Sequence, residues 1–170
     1  MELETAIRTR RTHKAYGPDP VDRATIEELV ELARWAPNHH LTNPWRFRVV
    51  GPAALERLKA AVGPEGATKL DRAPTLVAIS YVTTPADPVA DEEDLLAAGC
   101  AAYAVLLGAH ARGLAAYWRT PAILREPAGR AALGIGDDER CLGLLHLGAG
   151  RQEPRVPDRA PVEDVIAFLP

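Results

Sequence analysis

Between Asp91 and Arg112 the chain reads DEEDLLAAGCAAYAVLLGAHAR. Four acids open it, and small or apolar residues fill almost everything that follows. The acids suit the positive end of a helix macrodipole. A helix this long, apolar on nearly every side, belongs at the centre of a molecule. A second run, Thr75 to Val82 (TLVAISYV), is nearly all apolar and rich in β-branched residues, which predicts a central strand. One buried helix and one buried strand set the frame that the other elements must cover.

Those elements follow from periodicity and turn signals. Glu2 to Arg10 reads as a short helix with Leu3, Ala6 and Ile7 on one face. Asp22 or Thr25 caps the next helix, Thr25 with Glu28 fitting a capping box. Ile26, Leu29, Val30 and Ala33 form its inner face, and Pro37 ends it. Phe47 to Val50 reads as a strand. Pro52 to Val62 reads as a helix with Leu55, Leu58 and Val62 inward. Leu114 to Trp118 is a short strand, and Thr120-Pro121 opens a helix that Gly134 stops. Cys141 to Leu147 is the last core strand. The tail from Arg151 to Pro170 ends in VIAFL and reads as an arm in search of a surface. The order predicts one α+β domain over residues 1–170, with helices on both faces of a small sheet.

Composition excludes several classes. With 170 residues and a formal charge of -3, nucleic acid is not the expected main partner. The N-terminus has no apolar signal core, and no uninterrupted apolar run reaches membrane length. Cys100 and Cys141 lie in apolar contexts, so buried free thiols in a reducing cytoplasm are expected. Only Lys14, Lys59 and Lys69 are lysines among 20 basic residues. Arginine is so common that each one says little; Asn38 and Asn43, the only asparagines, say more.

Several motifs are missing. Gly134-Ile-Gly136 and Gly148-Ala-Gly150 lack the third glycine of a dinucleotide loop, and neither a phosphate-binding Walker loop nor a zinc-type histidine helix occurs. Ser80, the one serine, lies mid-strand without a nucleophile elbow. Cys100, His110, Cys141 and His146 read as core residues with satisfied polar groups, not as metal ligands.

Three clusters remain. Arg10-Arg11-Thr12, with Lys14 behind, suits a phosphate dianion through bidentate guanidinium contacts and a hydroxyl donor; a solvated basic helix end explains it equally well. The loop APNHHLTNPWRF, from Ala36 to Phe47, holds both asparagines, two histidines and Trp45. Asparagine amides suit the edge of a planar heterocycle, while turn chemistry alone accounts for the asparagines but not for the tryptophan or the histidines. Tyr117-Trp118-Arg119-Thr120 ends a strand, where ligands often sit, or else places a core tryptophan beside an exposed arginine.

Together these clusters resemble the nitroreductase family of FMN flavoproteins, in particular its small NAD(P)H nitroreductase-like subgroup. The resemblance runs over nearly the whole chain. It takes in Arg-Arg-Thr, Ala-Pro-x-His, x-Pro-Trp-x-Phe, Ala98-Gly-Cys-Ala101, Trp-Arg-Thr and Leu-Gly-Leu-Leu-His-Leu-Gly. It implies a three-layer α/β/α fold with a small mixed, mainly antiparallel sheet and a C-terminal arm. Arg10, Arg11 and Thr12 match the segment that holds the FMN phosphate and ribityl end. Lys14 matches a lysine near the flavin in larger relatives. His39 matches a flavin-contacting position, with Trp35 bordering it. Trp118, Arg119 and Thr120 match a second flavin-contacting segment, and Arg159 resembles a late arginine that reaches the phosphate. Asn43 stands where the family usually has glutamine, one methylene longer.

The resemblance further implies a homodimer with FMN at the interface, and the free thiols point to the cytoplasm. Hydride passes from NAD(P)H through the flavin to a nitro, quinone or similar small-molecule acceptor. The chemistry lies at flavin N5, so no protein residue acts as a catalytic acid, base or nucleophile, and no metal, nucleic acid or membrane is required. The alternative is an FMN carrier or sensor without significant turnover. A phosphate-binding domain unrelated to flavin would keep only the arginine cluster.

Overall fold

A computed structural model describes all 170 residues. The core is a four-stranded sheet: β1 (Trp45–Val49), β2 (Thr75–Val82), β3 (Leu114–Arg119) and β4 (Glu139–Ala149). Their spatial order is β1-β2-β4-β3, and every pairing between them is antiparallel. The one parallel contact is a bridge from Thr12 to Ala116, which lays the N-terminal segment along the β3 edge. β2 is interior, as its nearly all-apolar run predicts. Leu145 and Leu147 of β4 face one side, and Leu144 and His146 face the other, because side chains alternate along a strand.

One face is covered by α2 (Arg23–Ala33) and α4 (Pro88–Ala111). Leu29, Ala33, Trp45, Ile79, Ala98, Val105 and Leu145 form the main cluster there. α3 (Pro52–Leu70) and α5 (Pro127–Ala132) cover the other face through Leu58, Leu70, Leu76, Leu133 and Leu144. The result is a three-layer α/β/α arrangement. α1 (Leu3–Thr9) buries only Ala6.

Some boundaries differ from the sequence expectation for identifiable reasons. α4 begins at Pro88, not Asp91, because Asp87 caps it by accepting from the Val89 and Ala90 amides. Asp91 is used elsewhere, accepting from the Tyr81 hydroxyl and the Thr84 amide. α2 is capped by Asp22, which takes both the amide and the hydroxyl of Thr25; no Thr25–Glu28 box forms. Glu28 pairs instead with Arg112. α3 does not stop at Val62. Gly63, at φ 73°, breaks it, and Pro64 starts a second helical piece that runs to Leu70; only glycine takes that backbone turn freely. β1 starts two residues earlier than expected, at the buried Trp45.

α4 is central, but it is not enclosed all round. Leu96, Cys100 and Tyr103 lie on one exposed stripe. By length and hydropathy this helix could cross a membrane, yet half of its most apolar window is buried against the protein. The buried-thiol expectation fails for Cys100, which is exposed, and holds only in part for Cys141. The tail from residue 151 is exposed almost throughout. Its one element is a single turn, Val162–Asp164, and Phe168 is 90% exposed.

Candidate cofactor site

The α1 exit is fixed by backbone pairing. Arg10 leaves helical geometry at ψ 131°, and the chain then runs beside β3, where the His13 amide donates to the Ala116 carbonyl at 3.2 Å. Tyr16 bridges to Gly150 and donates its hydroxyl to the His13 carbonyl at 2.8 Å. This docking carries Arg10, Arg11 and His13 to the C-terminal end of α4. There His110 Nε2 lies 2.8 Å from the Thr9 hydroxyl. The Arg10 guanidinium sits 5.9 Å from the Tyr103 ring centre, within cation–π range. Thr12 and Lys14 are exposed beside the cluster.

Part of this charge is absorbed locally. Arg11 Nη1 donates to the Arg8 and Arg10 carbonyls at 2.6 and 2.8 Å, which caps the end of α1. The rest is uncompensated. Arg10 Nε, Arg11 Nε and His13 Nδ1 are buried without a partner. None of Arg10, Arg11, His13 and His110 joins an ion pair. Burial, then the neighbouring arginines, holds the His110 imidazole below its ordinary pKa. Burial also lowers His13, opposed by the Gln152 carbonyl and aided by Arg10. Unpaired donors and excess positive charge are what an anion site requires.

The 36–43 loop is built differently. Asn38 Oδ1 accepts from the Asn43 amide at 2.9 Å, and Asn43 Nδ2 donates to the Leu41 carbonyl at 2.7 Å. His40, Leu41 and Asn43 all have positive φ, between 47° and 54°, an unusual density for residues with side chains. Two contacts to α4 hold the loop: His39 Nδ1 with Glu93 at 2.6 Å and the Thr42 hydroxyl with Asp94 at 2.5 Å. The His39 and His40 rings stack at 3.9 Å. Trp35 is 79% exposed beside Leu41, on an open cleft of about 430 Å³ that Asn38 and Asn43 also line. The Asn43 amide is thus engaged within its own loop.

At the end of β3, alternation separates the neighbours. Trp118 packs toward the α2/α4 face and donates to the Leu142 carbonyl at 3.0 Å. Arg119 points to the other face, where Nη1 lies 3.4 Å from the Lys69 carbonyl in an open cleft with Val62, Leu70 and Ile123. Thr120 is exposed, and Arg159 lies in the exposed tail. His146 is 1% exposed and packs against Tyr117, with Nε2 unpartnered. Its expected satisfied polar group is therefore absent. Burial, with Arg119 and Arg72 nearby, pushes its pKa down to about 4, so it is neutral.

Within one chain these pieces do not meet. The loop is tied to Asp94 and the arginine cluster to His110, both on α4. At 1.5 Å and 100° per residue they lie about 24 Å apart along the helix and on nearly opposite sides of it. Sequence reasoning passed over His13 and His110 as site members, and Glu93 and Asp94 as loop anchors. His13 directly follows the cluster and could have been included; His110 reaches the cluster, and Glu93 and Asp94 the loop, only through tertiary contact.

Comparison with known proteins agrees with this architecture. The model of the nitroreductase family matches residues 7–69 and 63–149. "Putative NAD(P)H nitroreductase YfhC" of Bacillus subtilis is 28% identical, covering 95% of this chain and 91% of that protein. "Putative NAD(P)H nitroreductase" of Haemophilus influenzae is 29% identical over 99% of this chain and 100% of that protein. Among solved structures, the nitroreductase-like family protein from Bacillus cereus superimposes with a TM-score of 0.90 at 20% identity, covering 99% of this chain and 96% of that one. A nitroreductase described as FMN- and NADPH-dependent, NfnB from Sphigopyxis sp. strain HMH, gives 0.81 at 20% identity with 100% of both chains covered.

Proposed function

This chain belongs to the nitroreductase family, and on that premise we propose that it is an FMN oxidoreductase, taking hydride from NAD(P)H and reducing a nitro, quinone or similar small acceptor. The single observation that carries the reading is the family match, which runs from Ile7 through Ala149 and so spans both the arginine cluster and the 36–43 loop. The relatives named for NAD(P)H chemistry align over nearly all of this chain.

The residues present fit FMN at its phosphate end. Arg10 Nε is a donor without a partner and His13 Nδ1 is likewise unpartnered, in a cluster that holds no carboxylate pair. Arg10, Arg11 and Thr12 would take the phosphate, with Lys14 and Arg159 as further cations. Trp35, His39 and Thr120 would border the ring; Trp118 and Arg119 point to opposite faces of the sheet and do not both reach it, and the Asn43 amide is held on the Leu41 carbonyl. Bound FMN supplies the two-electron transfer chemistry. The protein binds, orients and excludes water, so it needs no nucleophile or acid–base pair of its own.

A homodimer completes the site. One chain separates its loop from its arginine cluster by the body of α4, whereas a second copy brings its loop to the cluster of the first. The surface suits such pairing. Leu3, Ile7, Leu96 and Tyr103 are exposed apolar residues on α1 and α4, and Val165, Ile166, Phe168 and Leu169 of the tail are uncovered. Exposed apolar side chains on these helices and the tail are what such an interface would use. The same reading places the protein in the cytoplasm.

The test is the visible spectrum of protein purified with added FMN, followed by anaerobic NADH and NADPH titration. A flavin spectrum bleached by either nucleotide is expected. Protein that neither binds FMN nor oxidises NAD(P)H overturns the reading; bound flavin that neither nucleotide reduces would favour a carrier.

A further inference from the structure

We infer that His110 and His13 complete the phosphate end of the site and take up a proton from solvent when a phosphate dianion binds there. The inference rests on the FMN reading and deepens it. Neither histidine belongs to the Arg-Arg-Thr segment: His13 follows it directly, and the fold adds His110.

Three observations carry it. The charged groups facing His110 are Arg10, Arg11 and His13, all cationic when protonated. Its own neighbour Arg112 is turned away to Glu28 on α2 at 3.0 Å. His13 faces Arg10 and the Gln152 carbonyl, and its ring rests on Gly150. No carboxylate offsets the group, so its charge balance is incomplete without an anion.

The second observation is the direction of the His110 hydrogen bond. Thr9 donates its single hydroxyl proton to the Thr5 carbonyl at 2.6 Å. The 2.8 Å contact to His110 Nε2 therefore needs its proton on the imidazole. That fixes Nε2–H and leaves Nδ1 as the atom that titrates. The third is His13 Nδ1 itself, buried and without a partner. Each ring thus keeps one nitrogen without a hydrogen-bond partner, that of His13 lying against Gly150.

The sign follows from linkage. Without the anion, burial and the arginines disfavour the imidazolium forms. A dianion among these groups turns the local field attractive and raises both pKa values. Binding that raises a pKa is strongest below the free-state value and weakens as pH rises through the bound-state value.

The experiment is fluorescence-quenching titration with FMN and with riboflavin, which lacks the phosphate, from about pH 6.5 to about pH 8.5. The FMN phosphate, whose second pKa is about 6, is mainly dianionic across that window. FMN affinity should fall roughly tenfold over it, as average linked uptake of about half a proton across about two pH units requires, while riboflavin affinity stays level. His110→Gln keeps a donor toward Thr9 without titrating and should flatten the slope; adding His13→Gln should abolish it. Equal slopes for FMN and riboflavin, or an unchanged slope in the double variant, overturn the inference and leave the FMN reading intact. Absence of FMN quenching at every pH overturns both. Calorimetry of wild-type protein in two buffers of different ionisation enthalpy checks the same point without a variant: net proton uptake is expected, and none refutes it.

Discussion

The Thr42 hydroxyl donates to Asp94 at 2.5 Å, and Asp94 is 5% exposed. This bond is the inner anchor of a loop that carries three side-chain-bearing residues at positive φ. Such strain persists only where surrounding contacts over-determine it. Thr42→Val leaves a buried carboxylate without its side-chain partner. The expected cost is about 1.5–3 kcal/mol, read by denaturant unfolding, with the loop amides exchanging faster than those of β2. Wild-type stability in the variant would remove Thr42 as an anchor.

Arg10 and Arg11 should not contribute equally to flavin retention. Both Nε atoms lack a partner, but Arg11 spends Nη1 on two carbonyls at the α1 end, while the Arg10 guanidinium makes no hydrogen bond. Arg10→Ala should weaken FMN binding by about 1.5–3 kcal/mol, roughly ten- to a hundredfold. Arg11→Ala should weaken it too and should also lower thermal stability, because the end of α1 loses its cap. Flavin fluorescence titration and a melting curve separate the two effects.

Trp118 has its seat because Gly143 has no side chain. A Cβ at Gly143 would lie 2.4 Å from Trp118 Nε1 and 2.6 Å from the Arg119 carbonyl, and φ there is 151°. The register between β2 and β4 shifts beside it, at Ile79/Ser80. Gly143→Ala should push the indole off the Leu142 carbonyl and cost about 1–3 kcal/mol. A shift in tryptophan emission together with lower stability is the expected readout.

Across the sheet, Arg48 holds Glu139 by two bonds, at 2.8 and 2.6 Å, and the Ser80 hydroxyl also donates to that carboxylate. Burial works to raise the Glu139 pKa, but Arg48 and Ser80 together outweigh it and keep it below the ordinary glutamate value. A depressed folded-state pKa contributes stability above the unfolded value, about 4.3, which is lost as pH falls through the folded one. Glu139→Gln should cost about 2–3 kcal/mol at neutral pH. The gap to wild type should close in acid, which unfolding curves at a series of pH values would show.

Removal of residues 151–170 tests the dimer. The tail exposes Val162, Val165, Ile166, Phe168 and Leu169 and buries nothing of the core. The shortened chain should fold, run as a monomer in light scattering and retain FMN poorly. A truncated chain that stays dimeric would assign the contact to α1 and α4 alone.

The sequence by itself determined the layers and the family. The run TLVAISYV read as an interior strand and the α4 segment as a central helix, because burying that much apolar surface largely decides placement. Arg10-Arg11-Thr12 and Asn-Pro-Trp were legible as motifs because their chemistry is local. The tertiary structure decided what meets what. Strand alternation sent Trp118 and Arg119 to opposite faces, and the length of α4 put the 36–43 loop and the arginine cluster at opposite ends. Asn43, expected at the flavin from its place before Pro44-Trp45, has its amide on Leu41, a choice set by positive backbone angles that composition does not reveal. His110, a hundred residues from Arg10, joined the cation cluster only because α1 packs across the end of α4. Periodicity reads which face of an element is apolar; it does not read which polar groups two packed elements bring within 3 Å of each other.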